Sequence, residues 1–178
     1  ALDAIGCWRV ERVGDTAFVR ERLPAVAKPA LPAGTLQAVV IVGGGAAGLS
    51  CAEQLRREGY RGRLTMLSAD ASPPVDRPNV SKDYLAGSAP EDWMPLRPET
   101  YYREQDIDLR LDTTVIDIDL QARRVQCADG TTLPFDALLL ATGADPVRVA
   151  VPGATASQVP TLRRLRDILA IIPGSPPR

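Results

Sequence analysis

The sequence predicts an α/β fold: a parallel sheet with an inserted antiparallel β-meander and a short N-terminal β-hairpin appendage. Three observations predict it. Ala38-Val39-Val40-Ile41-Val42 is an unbroken apolar run of strand length, as a parallel strand buried on both faces requires. A helical segment follows at once, and Leu64-Thr65-Met66-Leu67 is a second short strand, so a βαβ unit fills about thirty residues and favours a right-handed crossover. Ala137-Leu138-Leu139-Leu140-Ala141, closed by Thr142-Gly143, is another fully apolar strand.

The elements read in order as follows. Residues 1–22 form a small β unit, with Cys7–Val13 and Thr16–Arg20 as strands around the turn Gly14-Asp15. An isolated hairpin is marginal in water, so this one is expected to be the tail of a β domain lying mostly upstream. Residues 23–36 carry Pro24, Pro29, Pro32 and Gly34 and read as a stiff linker. The helix after the first strand starts at Ala46, with Ala47, Leu49, Ala52 and Leu55 as its small or apolar positions, and Gly59 stops it. Residues 71–98 hold too many prolines for a long helix, leaving a turn or two at Lys82–Leu85 and a short helix within Leu96–Glu104. Ile107–Leu111 is strand-like. Val115–Asp119, Arg124–Cys127 and Thr131–Leu133 form the meander, with Asp129-Gly130 as one hairpin turn. Leu162–Ile171 has apolar residues at helical spacing, and Pro173 ends that helix.

Composition narrows the function classes. At 178 residues and 45% hydrophobic content, one domain with an appendage is expected. A net charge of −1 gives no field for nucleic acid or an anionic membrane, and no apolar run spans a bilayer. With no histidine, an imidazole base or His–metal ligand is excluded within this chain. Cys7, Cys51 and Cys127 are scattered, so neither a disulfide framework nor a metal site is expected, and the cytoplasm is the expected compartment.

Gly43-x-Gly45-x-x-Gly48 is the strongest motif. Gly43 permits the tight turn off the strand, Gly45 lets a diphosphate approach the backbone, and Gly48 brings the helix close to the sheet. Unpaired N–H groups of Ala46 and Ala47 at the helix start point at the anion. The alternative is a glycine turn kept for packing alone. Asp70, about twenty residues on and just past the second strand, suits a carboxylate that accepts from ribose hydroxyls; the alternative is an ordinary solvated strand end. At this point NAD and FAD both remain open on a Rossmann-like βαβ unit.

The segment Val75-Asp76-Arg77-Pro78-Asn79-Val80-Ser81-Lys82, with Ala141-Thr142-Gly143 and Pro152-Gly153, separates them. Here the sequence resembles the FAD domain of flavoproteins that carry two dinucleotide-binding domains. Within the pyridine nucleotide-disulfide oxidoreductase superfamily it is most similar to ferredoxin reductases and to apoptosis-inducing-factor-like proteins whose flavin domain follows a Rieske domain. The resemblance runs from about Ala38 to Leu169. It implies that Arg77 sits by the adenosine and diphosphate of FAD and Lys82 beside the isoalloxazine, as the residue with a catalytic role. It also implies that Val115 offers its backbone to adenine and that Ala141, Thr142 and Gly143 pass near the cofactor. An Arg fork suits phosphate oxygens, and a cation near the flavin stabilises the charge gained on reduction; the alternative for both is surface ion pairing.

The sequence departs from the family pattern in four places: Val75 replaces the usual Tyr, Val80 the usual Leu and Asp70 the usual Glu, and Asp145 stands where Arg is frequent. No cysteine pair follows the second strand, which sets disulfide reductases aside, and Cys51 reads as a small buried residue. The resemblance implies residues 37–160 as the first part of an FAD-binding domain and 161–178 as a helix and tail leading to an NAD(P)H domain outside this chain. The implied parent reaction passes electrons from NAD(P)H through FAD to an iron–sulfur acceptor, a ferredoxin or a fused Rieske centre. The isolated chain is expected to be an incomplete enzyme. The alternative function is a non-catalytic module binding NAD or ADP. Arg163-Arg164-x-Arg166 reads as the solvated face of the last helix, or as a docking patch for an acidic electron carrier.

Overall fold

Strands β1 (Trp8–Val13) and β2 (Thr16–Arg22) pair antiparallel around Gly14-Asp15, so the expected hairpin is present and runs two residues past Arg20. The structure is a computed structural model and describes residues 7–24, 36–147, 150–153 and 159–171. Most of the expected linker, at 25–35, and the tail after Ile171, Pro173 included, lie outside the described residues. Every residue of the hairpin is exposed; Arg20 pairs with Glu11 at 2.8 Å and lies over the Phe18 ring.

The apolar run becomes strand β3 (Ala38–Val42), followed by helix α1 (Ala46–Arg57) and strand β4 (Arg63–Leu67) in parallel register, with Val39 opposite Leu64 and Ile41 opposite Met66. Alternation along β3 sends its side chains to two cores. Val39 and Ile41 pack with Leu49 and Ala52 of α1, whereas Val40 and Val42 pack with Val125, Cys127 and Leu133 of the meander. A strand covered on both faces needs apolar residues throughout, which is why the run is unbroken.

Asp76 caps a short helix α2 (Arg77–Asn79), which runs into a π-helical turn, Val80–Tyr84. The turn therefore begins at Arg77 and not at Lys82. Pro78 sits in the first helical turn, where no N–H is needed, so its presence does not bar helix there. A single 3₁₀ turn follows at Glu91–Trp93, then helix α3 (Glu99–Glu104) and strand β5 (Asp108–Arg110), which joins the sheet parallel to β4.

The meander is present as β6 (Val115–Asp119), β7 (Arg124–Cys127) and β8 (Thr132–Pro134), and β9 (Ala137–Leu140) returns to pair with β3. The four-stranded order is β5-β4-β3-β9, all parallel, with α1 on one face and the meander on the other. Although fully apolar, β9 is only half-buried and Leu140 is 59% exposed. It is an edge among the described strands, paired with β3 alone.

Helix α4 (Leu165–Ile171) starts later than the periodicity from Leu162 predicts. The Asp167 carboxylate accepts from the backbone N–H groups of Arg163 (2.8 Å) and Arg164 (2.7 Å), which fixes those residues ahead of the helix. Leu165 and Ile168 then pack on Val80, Tyr84 and Met94, docking α4 on the proline-rich segment. Among the described residues no helix is long and apolar enough to cross a membrane.

Candidate nucleotide site

The carboxyl ends of β3, β4 and β9 open onto one cavity of about 400 Å³. From β3 the chain adds β4 and β5 on one side and then returns to add β9 on the other, so the strand order reverses here and this is a switch point of the sheet, where ligands of open α/β folds bind. Its floor is the turn from β3 into α1. Gly43 has φ +127°, a conformation in which L side chains are strained, and a Cβ there would overlap the Ala141 carbonyl. A Cβ on Gly48 would overlap the carbonyl of Gly43 and sit 3.2 Å from Ile41 Cγ2, so this glycine seats the helix on the strand. At Gly45 a Cβ would have only Arg77 Nη2 near it, at 3.8 Å, and would stand in the cavity itself.

Gly45 is also the N-cap of α1, and it supplies no side chain to the first N–H groups. No acidic residue lies in the first turn, so the positive end of the helix faces the cavity unopposed. Ala46 and Ala47 line the cavity, as do Asp70, Arg77, Val115, Ala141, Thr142 and Gly143. The structure thus brings together Gly43, Gly45, Ala46, Ala47, Asp70, Arg77, Val115, Ala141, Thr142 and Gly143, with Gly48 buried beneath them.

Lys82 is not brought to this cavity: it is exposed on the π-helical turn. A smaller hollow of about 320 Å³, lined by Arg77, Pro78, Val80, Ser81, Leu162 and Arg163, lies next to it in the chain. Asp145 is exposed and does not line the cavity. Cys51 is half-buried, and burial pushes its thiol pKa up, the direction that makes a cysteine less reactive.

Arg163 and Arg164 are the residues that sequence reasoning missed. Neither belongs to a solvated helix face; both are half-buried and line the cavity, and Arg163 Nη2 lies 3.1 Å from where a Cβ on Gly143 would be. The available signal was Asp167, an acid spaced to accept from the N–H groups of a turn just before a helix. Ser68, Thr113 and Thr114 add hydroxyl groups to the lining. Three guanidiniums therefore face one carboxylate. Burial lowers the pKa of Arg77, the nearby Arg163 and Arg164 lower it further, and Asp70 opposes them. An anion placed among these cations would relieve their mutual repulsion.

Residues 37–177 match the family model for pyridine nucleotide-disulphide oxidoreductase. The chain belongs to that family. Among curated relatives, a rubredoxin-NAD(+) reductase of Pseudomonas putida is 38% identical over 130 residues, which is 73% of this chain and 34% of that protein. Human apoptosis-inducing factor 3 is 36% identical over 134 residues, covering 75% of this chain and 22% of that protein. Among solved structures, the covalent putidaredoxin reductase–putidaredoxin complex superposes with a TM-score of 0.68 at 36% identity, over 75% of this chain and 33% of the matched one. The chain thus spans about a third or less of the relatives it matches. In this member of the family the glycine turn follows β3, an inner strand of the parallel sheet.

Proposed function

We propose that the cavity holds the ADP portion of FAD, and that this chain is the FAD-binding portion of an oxidoreductase passing electrons from NAD(P)H to an iron–sulfur protein. The observation that carries this reading is the convergence of Arg77, Arg163 and Arg164 on the uncapped start of α1, where among the described lining residues only Asp70 opposes them. Gly45, without a Cβ, leaves the N–H groups of the turn open to diphosphate oxygens. Arg77 and Arg163 flank them from α2 and from the segment before α4. Asp70 faces the ribose, and the backbone at Val115 the adenine.

A flavin held by these residues would supply hydride acceptance and single-electron release. Lys82 follows Ser81 at the smaller hollow, and in this reading its ammonium lies near the ring end and favours the reduced, more negative form. The names of the relatives support a rubredoxin- or ferredoxin-like acceptor, and the exposure of every residue of the hairpin strands supports their packing against a further β domain, which we read as Rieske-like. On this account 23–36 is the linker, 37–160 the first part of the FAD domain and 161–178 the lead into an NAD(P)H domain.

Fluorescence titration of the purified chain with FAD tests the reading. Saturable quenching is expected, and Arg163→Ala with Arg164→Ala should weaken it about tenfold or more through loss of charge-assisted hydrogen bonds. A chain that ignores FAD while binding NAD would favour a non-catalytic nucleotide module, a second reading supported by the position of Lys82 outside the main cavity. Lys82→Ala separates the two. With flavin bound, the midpoint potential should fall by about 30 mV, roughly 1.4 kcal/mol for a two-electron couple; in a simple nucleotide module the variant should bind as the parent does.

A further inference from the structure

At the end of β4, Ser68 is 2% exposed and lines the nucleotide cavity. Two independent contacts meet on its side chain. A Cβ on Gly44, the middle residue of the glycine turn, would overlap both Cβ and Oγ of Ser68, so Gly44 lies flat on this side chain. On the other side, Ser68 Oγ accepts from the backbone N–H of Asp70 at 3.2 Å.

The surrounding backbone is already fixed. Ser68 N–H donates to Arg110 O at 2.8 Å, Thr113 N–H to Ser68 O at 2.7 Å, and Asp112 N–H to Asp70 O at 3.1 Å. What these bonds leave free is the peptide carrying the Asp70 N–H, and the serine hydroxyl takes it. A hydroxyl that accepts one bond still has a proton to donate toward the cavity.

We propose that Ser68 is a positioning residue coupling the two halves of the nucleotide site, supporting Gly44 of the diphosphate turn with its Cβ and setting the Asp70 carboxylate for the ribose with its hydroxyl. The proposal rests on the reading of the cavity as a nucleotide site and adds the residue that sets ribose recognition against diphosphate recognition. Ser68→Ala keeps the support and removes the hydroxyl. Gly44→Ala forces a methyl group against both Cβ and Oγ of Ser68 and so disturbs both roles.

Calorimetric titration of the 178-residue chain with ADP, 2′,3′-dideoxy-ADP and inorganic pyrophosphate reads the two contributions separately, with thermal melts confirming that each variant is folded. The parent should prefer ADP to the dideoxy analogue. Ser68→Ala should weaken ADP about tenfold, the value of one hydrogen-bonded contact in a buried site, while the dideoxy analogue and pyrophosphate bind as before. Gly44→Ala should weaken all three probes, and Gly44→Ala with Ser68→Gly should regain most of the pyrophosphate affinity. Equal weakening of all three probes by Ser68→Ala, or no weakening, overturns the proposal. A double variant no better than Gly44→Ala alone removes the supporting role. If the parent binds none of the probes, the nucleotide reading itself fails, and that failure shows in the parent before any variant is made.

Discussion

Gly43, Gly45 and Gly48 share one motif for three different physical reasons, and substitutions separate them. Gly43→Ala forces a side chain onto φ +127° and into the Ala141 carbonyl, at a cost of about 1–3 kcal/mol for the strained backbone alone. The melting temperature should fall by roughly 2–12 °C for a chain of this size. Gly45→Ala meets only Arg77 Nη2, so the melting temperature should stay within about 2 °C while nucleotide affinity is lost to the methyl group in the cavity. Equal loss of stability in both variants, followed by thermal denaturation, would show that the turn serves packing only. The glycines were legible in the sequence because a β run precedes them and a helix follows. Arg163 and Arg164 were not, because their approach to the cavity depends on α4 docking over Val80 and Tyr84, a contact between segments far apart in the chain.

Asp136 shows how a connecting residue ties elements together. Its carboxylate accepts from the N–H groups of Gln37 (2.7 Å) and Ala38 (2.9 Å), fastening the start of β3 to the start of β9. These bonds hold its pKa below the ordinary carboxylate value. A carboxylate with a depressed folded-state pKa stabilises the fold above its unfolded value, near pH 4, and loses that contribution as pH falls through the folded-state value. Melting temperature should therefore drop on acidification below about pH 4, and Asp136→Asn should show a shallower drop over that range. An identical acid profile for the two proteins would contradict the role given to this carboxylate. Strand type was readable because β3 alternates between two cores and cannot tolerate a polar position. Helix boundaries were less so: α2 starts at Arg77 through an Asp76 cap among prolines that otherwise argue against helix, and α4 starts late because Asp167 holds the two residues before it.

At the scale of the molecule, three layers meet at one switch point, with the sheet between α1 on one face and the meander on the other, while Arg77 and the residues ahead of α4, Arg163 and Arg164, join the cavity wall. The order of elements, and hence the α/β class, followed from periodicity. The half-exposed β9 did not, since an apolar run does not tell whether its second neighbour strand lies within reach. The hairpin stands outside these layers, every residue exposed. A chain lacking residues 1–24 should melt within about 2 °C of the parent, as removal of surface contacts changes stability by roughly 0.5 kcal/mol or less; a large fall would show that the hairpin is part of the same cooperative unit.

Every role proposed for the cavity requires the diphosphate of a nucleotide at the start of α1. Amide chemical-shift mapping of the isotopically labelled chain during titration with FAD tests that placement most directly. The largest shifts are predicted at Gly44, Gly45, Ala46 and Ala47, with smaller ones at Asp70 and Val115. Saturable shifts centred instead on the separate hollow lined by Tyr102, Ile107 and Leu109, with the glycine turn unmoved, would contradict it.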